Sequence, residues 1–112
     1  MKTAKLTGTA LDWAVGKCEK CEESLVFDDD RLCFVTEDGQ DFEPSSNWAQ
    51  GGLIIEREMI EIGAHEPGEV EWVARDYWRE NQMTGWAPLI AAMRCYVSAN
   101  LGADVEVPEG LI

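Results

Sequence analysis

Basic residues are scarce in this chain of 112 residues. Nine lysines and arginines stand against 22 aspartates and glutamates, a formal net charge of −13. Binding to DNA or RNA draws on a basic face that displaces counterions, so direct nucleic-acid contact is disfavoured. Anionic membrane surfaces are disfavoured for the same reason. No apolar run approaches the roughly 20 residues that cross a bilayer. The segment Met1–Gly8 lacks the apolar block of a signal peptide, and the expectation is a cytoplasmic protein.

Reactive groupings are missing too. His65 is the only histidine, and no motif sets a serine or cysteine beside it as a nucleophile. Cys18 and Cys21 form one close pair, with Cys33 and Cys95 elsewhere. A structural zinc site commonly uses two such pairs, so no metal is expected, and the thiols read as buried or half-buried groups. No lysine follows Gly51-Gly52, which rules out a P-loop. Carboxylate pairs such as Glu56 and Glu58, or Glu69 and Glu71, are too common in an acidic chain to mark acid–base chemistry. No catalytic residue and no cofactor is predicted, and an enzyme is disfavoured.

What remains is an ordinary globular composition, 46% apolar and 28% charged, with five tryptophans. The length suits one core. The most informative stretch is Pro44–Glu58. Ser45, Ser46 or Asn47 can cap a helix there, Gly51 and Gly52 are expected to interrupt it, and Leu53, Ile54 and Ile55 call for burial.

Around it the other elements follow in order. A first helix is expected after Thr7 or Thr9, with Asp12 placed as in a capping box. Its buried stripe is Leu11, Ala14, Val15 and Cys18, Trp13 covers the edge, and Gly16 weakens it. Ser24–Asp28 and Arg31–Thr36 read as a hairpin with Asp29-Asp30 at its tip, followed by a loop over 37–41. Ile60 and Ile62, then Val70, Trp72 and Ala74, alternate as a second hairpin across the turn Glu66-Pro67-Gly68-Glu69, with Trp72 inward. Residues 76–86 read as a long loop.

Pro88 opens the last helix, whose stripe is Leu89, Met93, Tyr96, Val97 and Leu101, and Gly102 ends it. The expected fold is α+β in two layers: an antiparallel sheet from two hairpins packs on the terminal helices, with a short broken central helix. Residues 1–102 form the domain and 103–112 an extended tail.

Three blocks carry a family resemblance. They are Leu6-Thr7-Gly8 with Leu11-Asp12, then Pro44 to Gly52 with Ile54 to Glu58, then Pro88 to Val97. Together they resemble the NinX-like family of small bacteriophage and prophage proteins. The family's pattern has a proline where Leu53 stands and a threonine-like cap where Ala87 stands. The resemblance implies phage or prophage origin and cytoplasmic expression in an infected or lysogenic bacterium. It implies no activity.

The candidate site is a binding surface. Trp48, Gly51, Gly52, Arg57, Arg75, Trp78, Arg79, Trp86 and Arg94 gather aromatics and rare cations, which favour binding hot spots and planar ligands. Arg57 and Arg94 can equally pair with acids such as Glu56, Glu58 or Asp12. The leading expectation is a non-enzymatic module that engages a host or phage protein, or a small ligand, through the Trp48 and 76–86 loops. The alternative is an acidic mimic of nucleic acid that inhibits a host nucleic-acid-binding or defence protein. The surplus tryptophans leave a homodimer open.

Overall fold

The computed structural model describes residues 1–64 and 71–111. Its centre is the last helix, α3 (Pro88–Leu101), and every residue from Leu89 to Val97 in it is buried. The expected stripe is inside except for the half-buried Leu101, but so are Ile90, Ala91, Ala92 and Cys95 on the faces between. A helix apolar on all sides must be surrounded. The surround comprises α1 (Gly8–Cys18), α2 (Trp48–Glu58) and strands β4 (Glu61–Ala64), β5 (Trp72–Arg75) and β6 (Gln82–Gly85). The Pro44–Glu58 stretch is thus a flank of the molecule and not its organiser.

The α+β class holds, with two corrections of detail. Among the described residues two three-stranded antiparallel sheets stand where one sheet was expected. The central helix is also unbroken, running through Gly51 and Gly52. Each glycine costs a helix about 1 kcal/mol against alanine, but packing overrides that at Gly51. A β-carbon there would lie 2.3 Å from the Pro44 carbonyl oxygen and 2.6 Å from Leu89 Cδ2. Glycine is what lets α2 close on this backbone. Asn47 caps the helix by accepting from the Ala49 amide at 2.9 Å. Of the apolar triplet only Ile54 is fully buried, Ile55 is half-buried, and Leu53 is 67% exposed.

The first sheet pairs β1 (Val26–Asp28) with β2 (Cys33–Val35), Phe27 opposite Phe34, as the hairpin reading expects. Its turn is wider than Asp29-Asp30. The Leu32 amide donates to the Asp28 carbonyl at 2.8 Å, and Asp28 Oδ1 accepts from the amides of Asp30 and Arg31. The expected loop then delivers a third strand, β3 (Asp41–Phe42), to the far side of β2. Gly16 lets Leu25 and Phe42 approach α1, since a β-carbon there would sit 2.7 Å from Leu25 Cδ1.

The second sheet, in the order β4-β5-β6, packs on α3. Ala74 faces the main core with Ile62 and Met83, while Val73, on the opposite face of the strand, is also buried. Trp72 shares the face of Ala74 by alternation, but at 38% exposure it is less covered than expected. The 76–86 segment is a tight turn plus β6, not a loop. Gln-Met-Thr-Gly is short, holds a single β-branched residue and ends in glycine, so neighbours more than propensity make it a strand. The expected turn Glu66-Pro67-Gly68-Glu69, with His65 and Val70, lies outside the described residues.

Long-range bonds join the pieces. Asp12 makes no capping box: Thr7 caps α1 without a side-chain bond, and Asp12 Oδ1 instead accepts from the Ser45 amide at 2.8 Å. Arg94, 7% exposed, donates through Nε to the Leu6 carbonyl at 2.9 Å and through Nη1 to the Thr84 carbonyl at 2.7 Å. The 103–111 tail folds back on the amino-terminal residues. Met1 and Val105 exchange two bonds of 2.8 and 2.9 Å, and Val105 is buried.

Candidate functional site

The nine candidate residues fall in three places. Trp48, Gly51, Gly52 and Arg57 lie along α2, Arg75, Trp78 and Arg79 at the β5–β6 turn, and Trp86 and Arg94 around the start of α3. Trp48 and the turn are not brought together. The turn meets the Glu58 end of α2, and ten residues of helix separate that end from Trp48, about 15 Å at the helical rise. Two of the nine are structural. Gly51 is sealed against Pro44 and Leu89, and the Arg94 guanidinium is occupied by two carbonyls, with its Cζ 5.5 Å from the Trp86 ring centroid.

The turn is the most deliberately built surface feature. Asp76 organises it alone. Oδ1 accepts from the amides of Glu80 and Asn81 at 2.8 and 3.3 Å, Oδ2 accepts from Asn81 Nδ2 at 2.8 Å, and the Asp76 carbonyl accepts from the Arg79 amide at 3.0 Å. The bond from Asn81 is the main reason its carboxyl is held below the usual range. Arg79 takes a left-handed φ of 59°, a conformation that side chains other than glycine's rarely adopt, and pairs with Glu61 at 3.0 Å. The tip that results presents Tyr77 and Trp78, edge to face at 4.8 Å, with Trp78 76% exposed.

Beneath the tip lies a groove of about 130 Å³ between Trp78, Ile60, Glu58 and Tyr96. One wall belongs to a charge network. Arg57 grips Glu19 through Nη1 and Nη2 at 3.0 and 2.7 Å, and its Nε reaches Glu58 at 2.8 Å. Tyr96 donates to Glu19 Oε2 at 2.5 Å. The bond from Arg57 holds the Glu19 carboxyl below its ordinary value, while burial and Glu19 push the Tyr96 phenol up. Bonds to Glu19 and Glu58 raise Arg57 further. All three groups therefore keep one protonation state near neutral pH. They supply fixed charge and shape, not proton transfer.

On the other side of Arg57, a shallower groove of about 520 Å³ runs between α2 and β3. Gln50 forms its floor, accepting from the Glu43 amide and donating to the Asp41 carbonyl. All four cysteines are free thiols. Burial, then Glu19, pushes Cys18 up to about 12, and burial does the same to Cys95, which makes both unreactive. Among the described residues Cys33, Asp41 and Glu43 bring ligand-type atoms within 4.8 Å of one another. Arg31 bonds to the Asp41 carboxylate and already neutralises part of that cluster.

Sequence reasoning missed Asp76, Glu19 and Tyr96. Asp76 carried a readable signal, since an aspartate directly after an apolar strand favours a turn. Glu19 and Tyr96 carried none, because the partners of Arg57 lie 38 and 39 positions away.

A family model described as Bacteriophage P22, NinX matches residues 2–100, a span that includes all three blocks of the resemblance. No curated protein matches the chain.

Proposed function

The chain belongs to the NinX family of bacteriophage P22, and from that premise we propose that it is a phage accessory protein that works by binding another protein, without catalysis. The observation that carries this reading is Trp78. An indole held 76% exposed, on a turn locked by four bonds to Asp76, gains nothing for the fold. Rigid exposed aromatics lose little conformational entropy on binding and supply large contact area, which is why they dominate interface energetics. Tyr77 supports the ring from beside it, and the groove against Ile60 and Tyr96 offers a socket for one apolar side chain of a partner. A host protein, another phage protein or a second copy of this chain can supply that side chain.

Trp48, 56% exposed, and Trp86, 60% exposed, are secondary contacts in this reading, since neither sits on a braced turn. The acidic mimic is the weaker reading. Part of the acid row at the first hairpin is spent internally: Asp28 builds its turn, and both Asp28 and Asp41 pair with Arg31.

Capture of partners from phage-infected cells by the tagged protein tests the proposal. Trp78→Ala is expected to abolish recovery of the specific partner, Trp48→Ala to reduce it, and moderate salt to leave it largely intact. Recovery indifferent to Trp78→Ala but lost in salt would replace this reading with the electrostatic one.

A further inference from the structure

We propose that the cavity between α1 and the first sheet is a binding site for a small organic cation with a methylated ammonium head. The cavity holds about 360 Å³, within the range of small-molecule sites. Its walls are Trp13 from α1 and Phe27 and Phe34 from the first sheet, with the tail at Pro108 and Leu111 along one side. Asp29 on the hairpin tip and Glu109 on the tail also line it, and among the described residues no lysine or arginine does. Three aromatic rings with acidic groups beside them are the arrangement that attracts a weakly hydrated cation.

Each part has a cause in the fold. Phe27 and Phe34 are paired across β1 and β2, and their rings meet edge to face at 5.4 Å. Asp28, by accepting the Asp30 and Arg31 amides, holds the tip that carries Asp29. Trp13 already draws a cation, since Lys17 Nζ lies 5.5 Å from its ring centroid. A primary ammonium such as lysine's is strongly hydrated. A methylated head sheds less water and spreads its charge over methyl groups that pack on the rings. The site is on a different element pair from the Trp78 turn and stands or falls without it.

Titration of the full-length protein with choline, followed by the Trp13 indole resonance, is the test. 3,3-Dimethylbutan-1-ol, which has the same shape without the charge, is the control, and trimethyllysine separates a free small molecule from a modified side chain. Choline or trimethyllysine is expected to bind about tenfold more tightly than the neutral isostere. The double variant Asp29→Asn, Glu109→Gln, which alters two exposed side chains, is expected to erase most of that difference while the spectrum stays folded. Equal binding of charged and neutral probes would overturn the proposal, as would no movement of the Trp13 resonance with any probe. Preference for trimethyllysine over choline would place the cation on a partner's side chain.

Discussion

The two sheets are built alike and joined to the molecule differently. Each has three short antiparallel strands. The second lies on α3 with Val73, Ala74 and Gly85 buried, and it leaves Trp72, Tyr77 and Trp78 exposed. The first meets α1 at Gly16 through Leu25 and Phe42 and leaves at the junction a cavity lined by Trp13, Phe27 and Phe34. Close packing in one place frees side chains for display, and looser packing in the other leaves room for a guest. The difference shows that similar strand pairings acquire different uses from what lies behind them.

A pair of glycines probes the two junctions most severely. A β-carbon at Gly85 would lie 2.9 Å from the Ala91 amide nitrogen and 2.9 Å from Ile90 Cγ2. Gly85→Ala must therefore move backbone, and a loss of about 3 kcal/mol is expected in urea denaturation. Gly16→Ala meets chiefly the end of a leucine, which can turn away, and gains helix propensity. Its stability is expected within about 1 kcal/mol of wild type. Equal losses would erase the contrast between the sheets.

Arg94→Met comes next. It leaves the Leu6 and Thr84 carbonyls without their donor, and about 2 kcal/mol should be lost from the second sheet's side.

Asp12 sharpens the comparison from the first sheet's side, where it anchors the chain just beyond β3. Burial raises its carboxyl from 3.8 to about 6, against the opposing bonds from Ser45. The folded state therefore holds a proton that the unfolded chain releases at lower pH. Stability from this group is fully present below about pH 4 and falls as pH rises through 6, with a slope of at most about 1.4 kcal/mol per pH unit. Asp12→Asn should flatten that part of the pH profile in thermal unfolding. Glu19 acts in the opposite sense: its carboxyl is held low, so its contribution is lost only as pH falls below the ordinary carboxylate range. The smallest expected effect is in hydrogen exchange. Amides of β1 and β2 should exchange about tenfold sooner than those of β5.

Local signals made much of this fold readable. Pro88 and Gly102 bracket α3, Asn47 caps α2, and the expected hairpin of Ser24–Asp28 with Arg31–Thr36 pairs over Val26–Asp28 and Cys33–Val35. The failures share one cause, which is that distant neighbours outweighed local preference. Gly51 reads as a helix breaker until Pro44 and Leu89 are seen against it. β3 and β6 are two and four residues long, too short and too polar for periodicity to mark. α3 reads as striped because its small residues, Ala91 and Ala92, look indifferent to burial until a sheet covers them. At the candidate site, Trp48, Trp78 and Trp86 all lie exposed. Arginine did not discriminate, since Arg57 and Arg94 look alike in sequence while one is exposed and the other is inside.

The central claim is that Trp78 is held out for a partner and does nothing for the fold. Denaturant unfolding of Trp78→Ala tests it without knowledge of that partner. The account predicts stability within about 0.5 kcal/mol of wild type, as for a surface position free of structural duty. A loss of about 2 kcal/mol or more would make the indole a structural residue and contradict the account.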